Sequence, residues 1–152
     1  MFNIFKKNVE IISNSLKNIE SIELYSKYFG RKVYSKSGEF VGKVYDIGMR
    51  AGCFFGIFVK GKRKVLIEKN FISSDADGVI MLSIEPVTNL IGKQVFDSKG
   101  KIIGKVKDLE RKTNANNYEG IVVKKSFFRR AFSVPKKDIE AAKQNIMLKK
   151  AY

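Results

Sequence analysis

The sequence predicts a mainly β chain, two tandem small β-barrels behind an N-terminal amphipathic α-helix, and three observations carry that expectation. The stretch GRKVYSKSGEFVGKVYDI, residues 30–47, returns 62 residues later as GKQVFDSKGKIIGKVKDL, residues 92–109. From residue 28 onward, short β-branched and aromatic runs alternate with polar, glycine-containing turns, the pattern of consecutive strands. Ahead of them, apolar residues recur at spacings of three and four, the period of one helix face.

The helix occupies residues 1–27. Phe2, Phe5, Val9, Ile12, Leu16 and Ile19 form its apolar stripe, with Lys, Asn, Ser and Glu largely opposite. Three uses are open to such a stripe: packing on the barrels, pairing with a second copy to give a homodimer, or lying on a membrane. Phe2, Ile4 and Phe5 followed by Lys6 and Lys7 suit shallow insertion beside anionic head groups, although Glu10, Glu20 and Glu23 dilute the charge.

The first repeat spans residues 28–85 and the second 90–152, joined through EPVTN, residues 85–89. Seven pairs hold one offset: Gly30/Gly92, Val33/Val95, Gly38/Gly100, Gly42/Gly104, Lys43/Lys105, Val44/Val106 and Asp46/Asp108. SKSG and DSKG are turn tetrads whose glycine supplies a positive φ, so each copy opens with a β-hairpin. Gly42 and Gly104 fall inside the returning strand, where glycine marks a bend or close backbone approach that helps a small sheet curl on itself. Five strands per copy are expected, near 30–35, 40–50, 53–60, 63–68 and 79–84, then 92–97, 102–112, 117–125, 130–135 and 145–149. A helical turn precedes each last strand, longer in the second copy, where it reads KKDIEAAKQ.

Composition restricts the chemistry. The 152 residues contain no histidine, no tryptophan and one cysteine, Cys53. Zinc sites, disulfides, imidazole catalysis and Cys-His couples are thereby excluded. No carboxylate pair recurs at a spacing that suggests a shared site, so no enzyme activity, cofactor or metal is expected. Cys53 lies in AGCFFGIFV, an apolar strand-like run, and is expected to be a buried structural thiol. No run approaches the roughly 18 apolar residues of a membrane span, and the start lacks a signal peptide's features, so a cytoplasmic location is expected.

The motifs resemble those of the PRC-barrel family, whose pattern runs L-I-G-K-x-V, then D-x-x-G-x-x-x-G-K-V-x-D-L, then a strand pair ending near V-P-x-x-D-I. LIGKQVFDSKGKIIGKVKDL with SVPKKDI matches it closely, and YFGRKVYSKSGEFVGKVYDI with LIEKNFI is a degenerate copy, departing at Glu68 and Phe71. The resemblance implies a small, strongly bent barrel in each half. Relatives of this kind occur in the photosynthetic reaction-centre H subunit, in the ribosome-maturation factor RimM and in small archaeal proteins, some of them acting in FtsZ-based cell division. All look like adaptors, and none supplies catalytic residues to transfer. Lys-, Ile- and Asn-rich usage with two stand-alone barrels looks most like the archaeal members.

The net charge is +15, and residues 90–152 hold sixteen basic against six acidic residues. KKSFFRRAF, residues 124–132, joins two expected strands and sets Phe127 and Phe128 between Lys124, Lys125, Arg129 and Arg130. Such a tip can dock a protein with an acidic or apolar surface, enter an anionic lipid surface or stack on nucleobases, or its rings can fold back into the barrel. Strand alternation requires at least one of the two rings to face outward. A scaffold that binds another protein through this tip is therefore expected, with peripheral contact at the inner face of the membrane as a further option. A RimM-like RNA- or ribosome-associated protein is the alternative.

Overall fold

A computed structural model of the chain describes residues 12–15 and 24–152. The expected helix and its stripe residues Phe2, Phe5, Val9, Leu16 and Ile19 lie outside them. Ile12 is described; it is exposed, and residues 12–15 are not helical. The only helical pieces among the described residues are four 3-10 turns of three or four residues.

Each repeat forms one six-stranded sheet, and the two sheets have the same topology. The first comprises β1 (Lys32–Tyr34), β2 (Phe40–Arg50), β3 (Cys53–Gly61), β4 (Lys64–Glu68), β5 (Ile72–Ala76) and β6 (Val79–Leu82), ordered β4-β3-β2-β1-β6-β5. The second comprises β7 (Gln94–Phe96), β8 (Ile102–Glu110), β9 (Gly120–Lys124), β10 (Phe132–Pro135), β11 (Ile139–Ala142) and β12 (Ile146–Leu148), ordered β10-β9-β8-β7-β12-β11. The pairs β1–β6 and β7–β12 are parallel and the rest antiparallel.

The strand count corrects the expectation of five per copy. The missed strands are β5 and β11, short pieces (ISSDA and IEAA) without a β-branched run. KKDIEAAKQ is not an extended helical turn: a 3-10 turn covers only Lys136–Asp138, and Ile139–Ala142 pairs with β12. One turn of helix costs more chain entropy than its few hydrogen bonds return, so the sheet partner decides. The 3-10 turn Lys69–Phe71 forms in the first copy despite Glu68 and Phe71. Cys53 is also a correction, being exposed rather than buried. It opens β3 opposite Arg50, directly after the Ala51–Gly52 reversal, where the long hairpin projects beyond the core.

Alternation along the strands separates two cores. Val33, Val41, Val44, Ile57, Val59, Ile67, Ile80 and Leu82 fill the first, with Tyr28 closing one end and stacked on Phe54 at 5.3 Å. Val95, Ile103, Val106, Ile121, Val123, Val134, Ile146 and Leu148 fill the second. No residue belongs to both. Polar contacts bridge the barrels: Arg63 pairs with Asp108 at 3.1 Å, Lys93 with Glu39 at 3.0 Å, and the Lys62 ammonium donates to the Asn89 carbonyl at 3.1 Å.

The opening turns are held by carboxylates of different origin. In the second copy Asp97, 1% exposed, accepts the Lys99 and Lys101 amides at 2.9 Å each and the Tyr152 amide at 3.3 Å. Ser35 occupies the corresponding place in the first copy; its hydroxyl accepts the Glu39 amide at 3.1 Å and lies 3.2 Å from the Ser37 hydroxyl. Glu85, from the linker, supplies the missing carboxylate by accepting the Ser37 amide at 2.5 Å. The linker is held from the other side too, because Asn116 donates to the Glu85 carbonyl and accepts from the Val87 amide, both at 2.9 Å. A single serine-for-aspartate difference thus ties the linker to the first barrel.

Both carboxyls titrate low. For Asp97 the Lys101 amide is the chief cause, outweighing desolvation. For Glu85 burial opposes ionisation, but the Ser35 and Ser37 hydroxyls, the Ser37 amide and the Lys93 charge outweigh it. A carboxyl lowered by folding contributes stability that is complete above its ordinary value, 3.8 for Asp97 and 4.5 for Glu85, and is lost as pH falls through the folded value. The chain is therefore expected to melt at a lower temperature in acid than at neutrality, with the loss developing below the ordinary carboxyl range. Asp97→Asn is expected to lower the neutral melting temperature and shrink its difference from the acid one. An unchanged difference in thermal melts at the two pH values would remove Asp97 from the account.

Candidate functional site

The β9–β10 connection carries the aromatic tip. Residues 125–131 lie between the strands, with a turn at Phe127 and Phe128 rather than continued strand. Both rings are solvent-exposed, at 85% and 95%, and meet edge to face at 5.5 Å. The Arg129 amide donates to the Ser126 carbonyl at 3.3 Å, closing the turn, and the Lys124 ammonium lies 5.3 Å from the centre of the Phe127 ring. Alternation demanded one outward ring; the turn presents two. Lys125, Arg129 and Arg130 are exposed and Lys124 partly so, and none of the four is held in an ion pair among the described residues. Exposing two phenylalanines forgoes roughly 1.5–3 kcal/mol of burial for each ring.

Beneath the tip, Lys105, Lys107, Lys124 and Phe127 line a shallow open depression of about 270 Å³. Lys105 faces Lys124 directly across the β8–β9 pair. Like charges in that position repel, so folding alone does not favour them. The first barrel extends the pattern: Lys32, Lys43, Lys60 and Lys64 follow one another across β1, β2, β3 and β4 in a single register row, all exposed. Lys43 and Lys105 stand out in the sequence as a repeated pair, but the row does not, because strand register alone aligns its other members.

The repeated Asp46 and Asp108 mark strand irregularities. Each sits just past a register shift and accepts the amide of its own successor, Ile47 at 2.8 Å and Leu109 at 2.7 Å. They serve the bend, and Asp108 additionally receives Arg63 from the first barrel. Between the barrels lies a cleft of about 900 Å³ lined by both repeats, with Glu39, Lys62, Glu85, Lys93, Lys105 and Lys143 among its walls. Within the described residues no three His, Cys, Asp or Glu side chains gather as metal ligands, and no helix is long and apolar enough to cross a membrane.

Two equivalent, strongly bent six-stranded sheets with an exposed aromatic and cationic tip define a tandem β-barrel interaction module. The PRC-barrel domain profile matches the chain twice, over residues 20–87 and 84–151. The chain belongs to the PRC-barrel family, whose domains are protein-interaction modules. No curated protein matches it.

Proposed function

We propose that the protein is a non-enzymatic adaptor that holds a protein partner through the β9–β10 tip, where Phe127 and Phe128 enter an apolar recess and Lys124, Lys125, Arg129 and Arg130 steer an acidic rim. The observation that carries this reading is the exposure of two adjacent phenylalanines among cations that form no ion pair with the described residues. Such a pair suits a binding anchor, since apolar area removed from water at a protein surface is where interface energy concentrates. The resemblance to small archaeal PRC-barrel proteins supports a role as a scaffold of FtsZ-based cell division at the cytoplasmic face of the membrane. A second reading, RNA or ribosome association, draws on the lysine row Lys32, Lys43, Lys60 and Lys64, which suits a phosphate backbone.

Affinity capture from the native cytoplasm on wild-type protein, with Phe127→Ala/Phe128→Ala as the matched bait, tests the first reading. The double variant is expected to keep its wild-type melt and to bind the captured partner about tenfold or more weakly, the loss of roughly 1.5–3 kcal/mol of burial per ring setting the scale. Arg129→Ala/Arg130→Ala is expected chiefly to slow association at low salt. Binding that collapses between low and moderate salt and ignores the phenylalanines would instead favour the phosphate reading. Unchanged affinity in the double variant would end the claim on the tip.

A further inference from the structure

The two barrels share a fold but not an edge. β4 (Lys64–Glu68) ends the first sheet, with Val65 and Ile67 turned inward and Lys64 and Leu66 outward. The Gly61 amide donates to the Arg63 carbonyl at 3.1 Å. Hydrogen-bonded pairs recur at every second residue of an antiparallel ladder. In the observed register, Val59 with Val65 and Ile57 with Ile67 are therefore the bonded pairs. The amide and carbonyl groups of Lys64, Leu66 and Glu68 consequently point away from β3, toward the open side of the sheet. Five residues without a proline form a strand edge ready to pair.

We propose that β4 pairs antiparallel with β4 of a second copy of this chain, forming a two-fold dimer centred on Leu66. The sequence KVLIE is self-complementary when reversed: Leu66 meets Leu66, Val65 meets Ile67, and Lys64 meets Glu68 twice. The outward-pointing backbone groups on Lys64, Leu66 and Glu68 are the ones that this register bonds. Neither Lys64 nor Glu68 has an ion-pair partner among the described residues, and Lys64 faces Lys60 within its own sheet. The dimer brings a carboxylate to the end of the lysine row. On the same outer surface Leu66 is 46% exposed and Tyr45 40%, with Phe58 between their strands and its ring 6.0 Å from that of Tyr45. Joining the edges continues this apolar patch across the axis.

The second barrel shows the same edge closed to pairing. Ala131, Phe132, Ser133, Val134 and Pro135 stand where the first has Lys64 to Glu68. Both charges are gone, Ser133 is bonded to Glu110 at 2.5 Å, and Pro135 has no amide hydrogen to give. One open and one blunted edge allow an isologous contact that closes at two copies, with no route to a filament through this edge.

Sedimentation velocity of the full chain from about 1 µM to about 1 mM is expected to show a concentration-dependent dimer, the span covering weak to moderate affinities. Glu68→Lys opposes lysines at two symmetric positions and is expected to weaken dimerisation about tenfold or more. The charge swap Lys64→Glu/Glu68→Lys is expected to restore it. Leu66→Ser, which installs the residue the second barrel carries, is expected to weaken it as well and decides the matter if Glu68→Lys does not fold. A wild-type chain that stays monomeric throughout, or folded Glu68→Lys and Leu66→Ser variants that dimerise as wild type does, would overturn the proposal and leave this edge to a different strand.

Discussion

Replacing Gly42 or Gly104 by valine is expected to destabilise the protein by about 1–3 kcal/mol, the range for forcing atoms into a packed position. A Cβ on Gly42 would lie 2.5 Å from the Lys60 carbonyl oxygen and 2.8 Å from the Gly61 nitrogen, both backbone atoms of β3. On Gly104 it would lie 2.7 Å from the Lys124 carbonyl oxygen and 2.9 Å from a Val123 methyl. Backbone cannot swing aside as a side chain does, so β2 and β3, or β8 and β9, must separate and lose ladder hydrogen bonds. Gly38→Ala isolates the other use of glycine. Gly38 has φ +86° and nothing within 4 Å of a would-be Cβ, so its penalty is conformational alone, roughly 1 kcal/mol. Denaturant midpoints should rank wild type above Gly38→Ala and Gly38→Ala above both valine variants. Valine variants with wild-type midpoints would show that the sheets do not need the close approach.

These glycines were legible in the sequence because sterics fixes them: a turn with positive φ or a strand crossing without room for Cβ leaves one residue type. The long strands were legible for a similar reason, since Gly42 and Val44 on β2 and Ile57 and Val59 on β3 keep an inward alternation that register cannot slip without exposing the core. β5 and β11 were hidden because their strand character resides in β6 and β12, which they pair with, and Glu140, Ala141 and Ala142 favour helix when read alone. Cys53 misled because apolar neighbours imply burial only where the strand still overlies the core, and the hairpin tip runs past it. The aromatic pair was recognised from residue type and position. The lysine row and the β4 edge were not, because both depend on which residues stand opposite one another across strands far apart in sequence.

Ile121→Ala is expected to unfold the second barrel while leaving the first folded. Ile121 is fully buried on β9 and belongs to the second core alone. Truncating such a side chain removes about 2–5 kcal/mol, a large share of the stability a unit of this size holds. The two cores share no buried residue, and the ion pairs and hydrogen bonds between the barrels are the route by which the effect can spread. Arg63 and Asp108 have side chains 45% and 50% exposed. A pair so open to water contributes about 0–1 kcal/mol, and the one better shielded pair, Lys93 with Glu39, has its carboxylate 35% exposed, so the bridge is small beside a loss of that size. Calorimetry of Ile121→Ala should therefore resolve two transitions, the lower one shifted and the upper near wild type. Hydrogen exchange should lose protection at Val123 while keeping it at Val59. Ile57→Ala, fully buried in the first core, should reverse the pattern. The linker sharpens the comparison, because the Ser37 amide of the first barrel donates to the Glu85 carboxylate and should stay protected in Ile121→Ala but not in Ile57→Ala. A single cooperative transition in both variants, with protection lost in both barrels together, would show that the polar bridge couples the repeats into one folding unit.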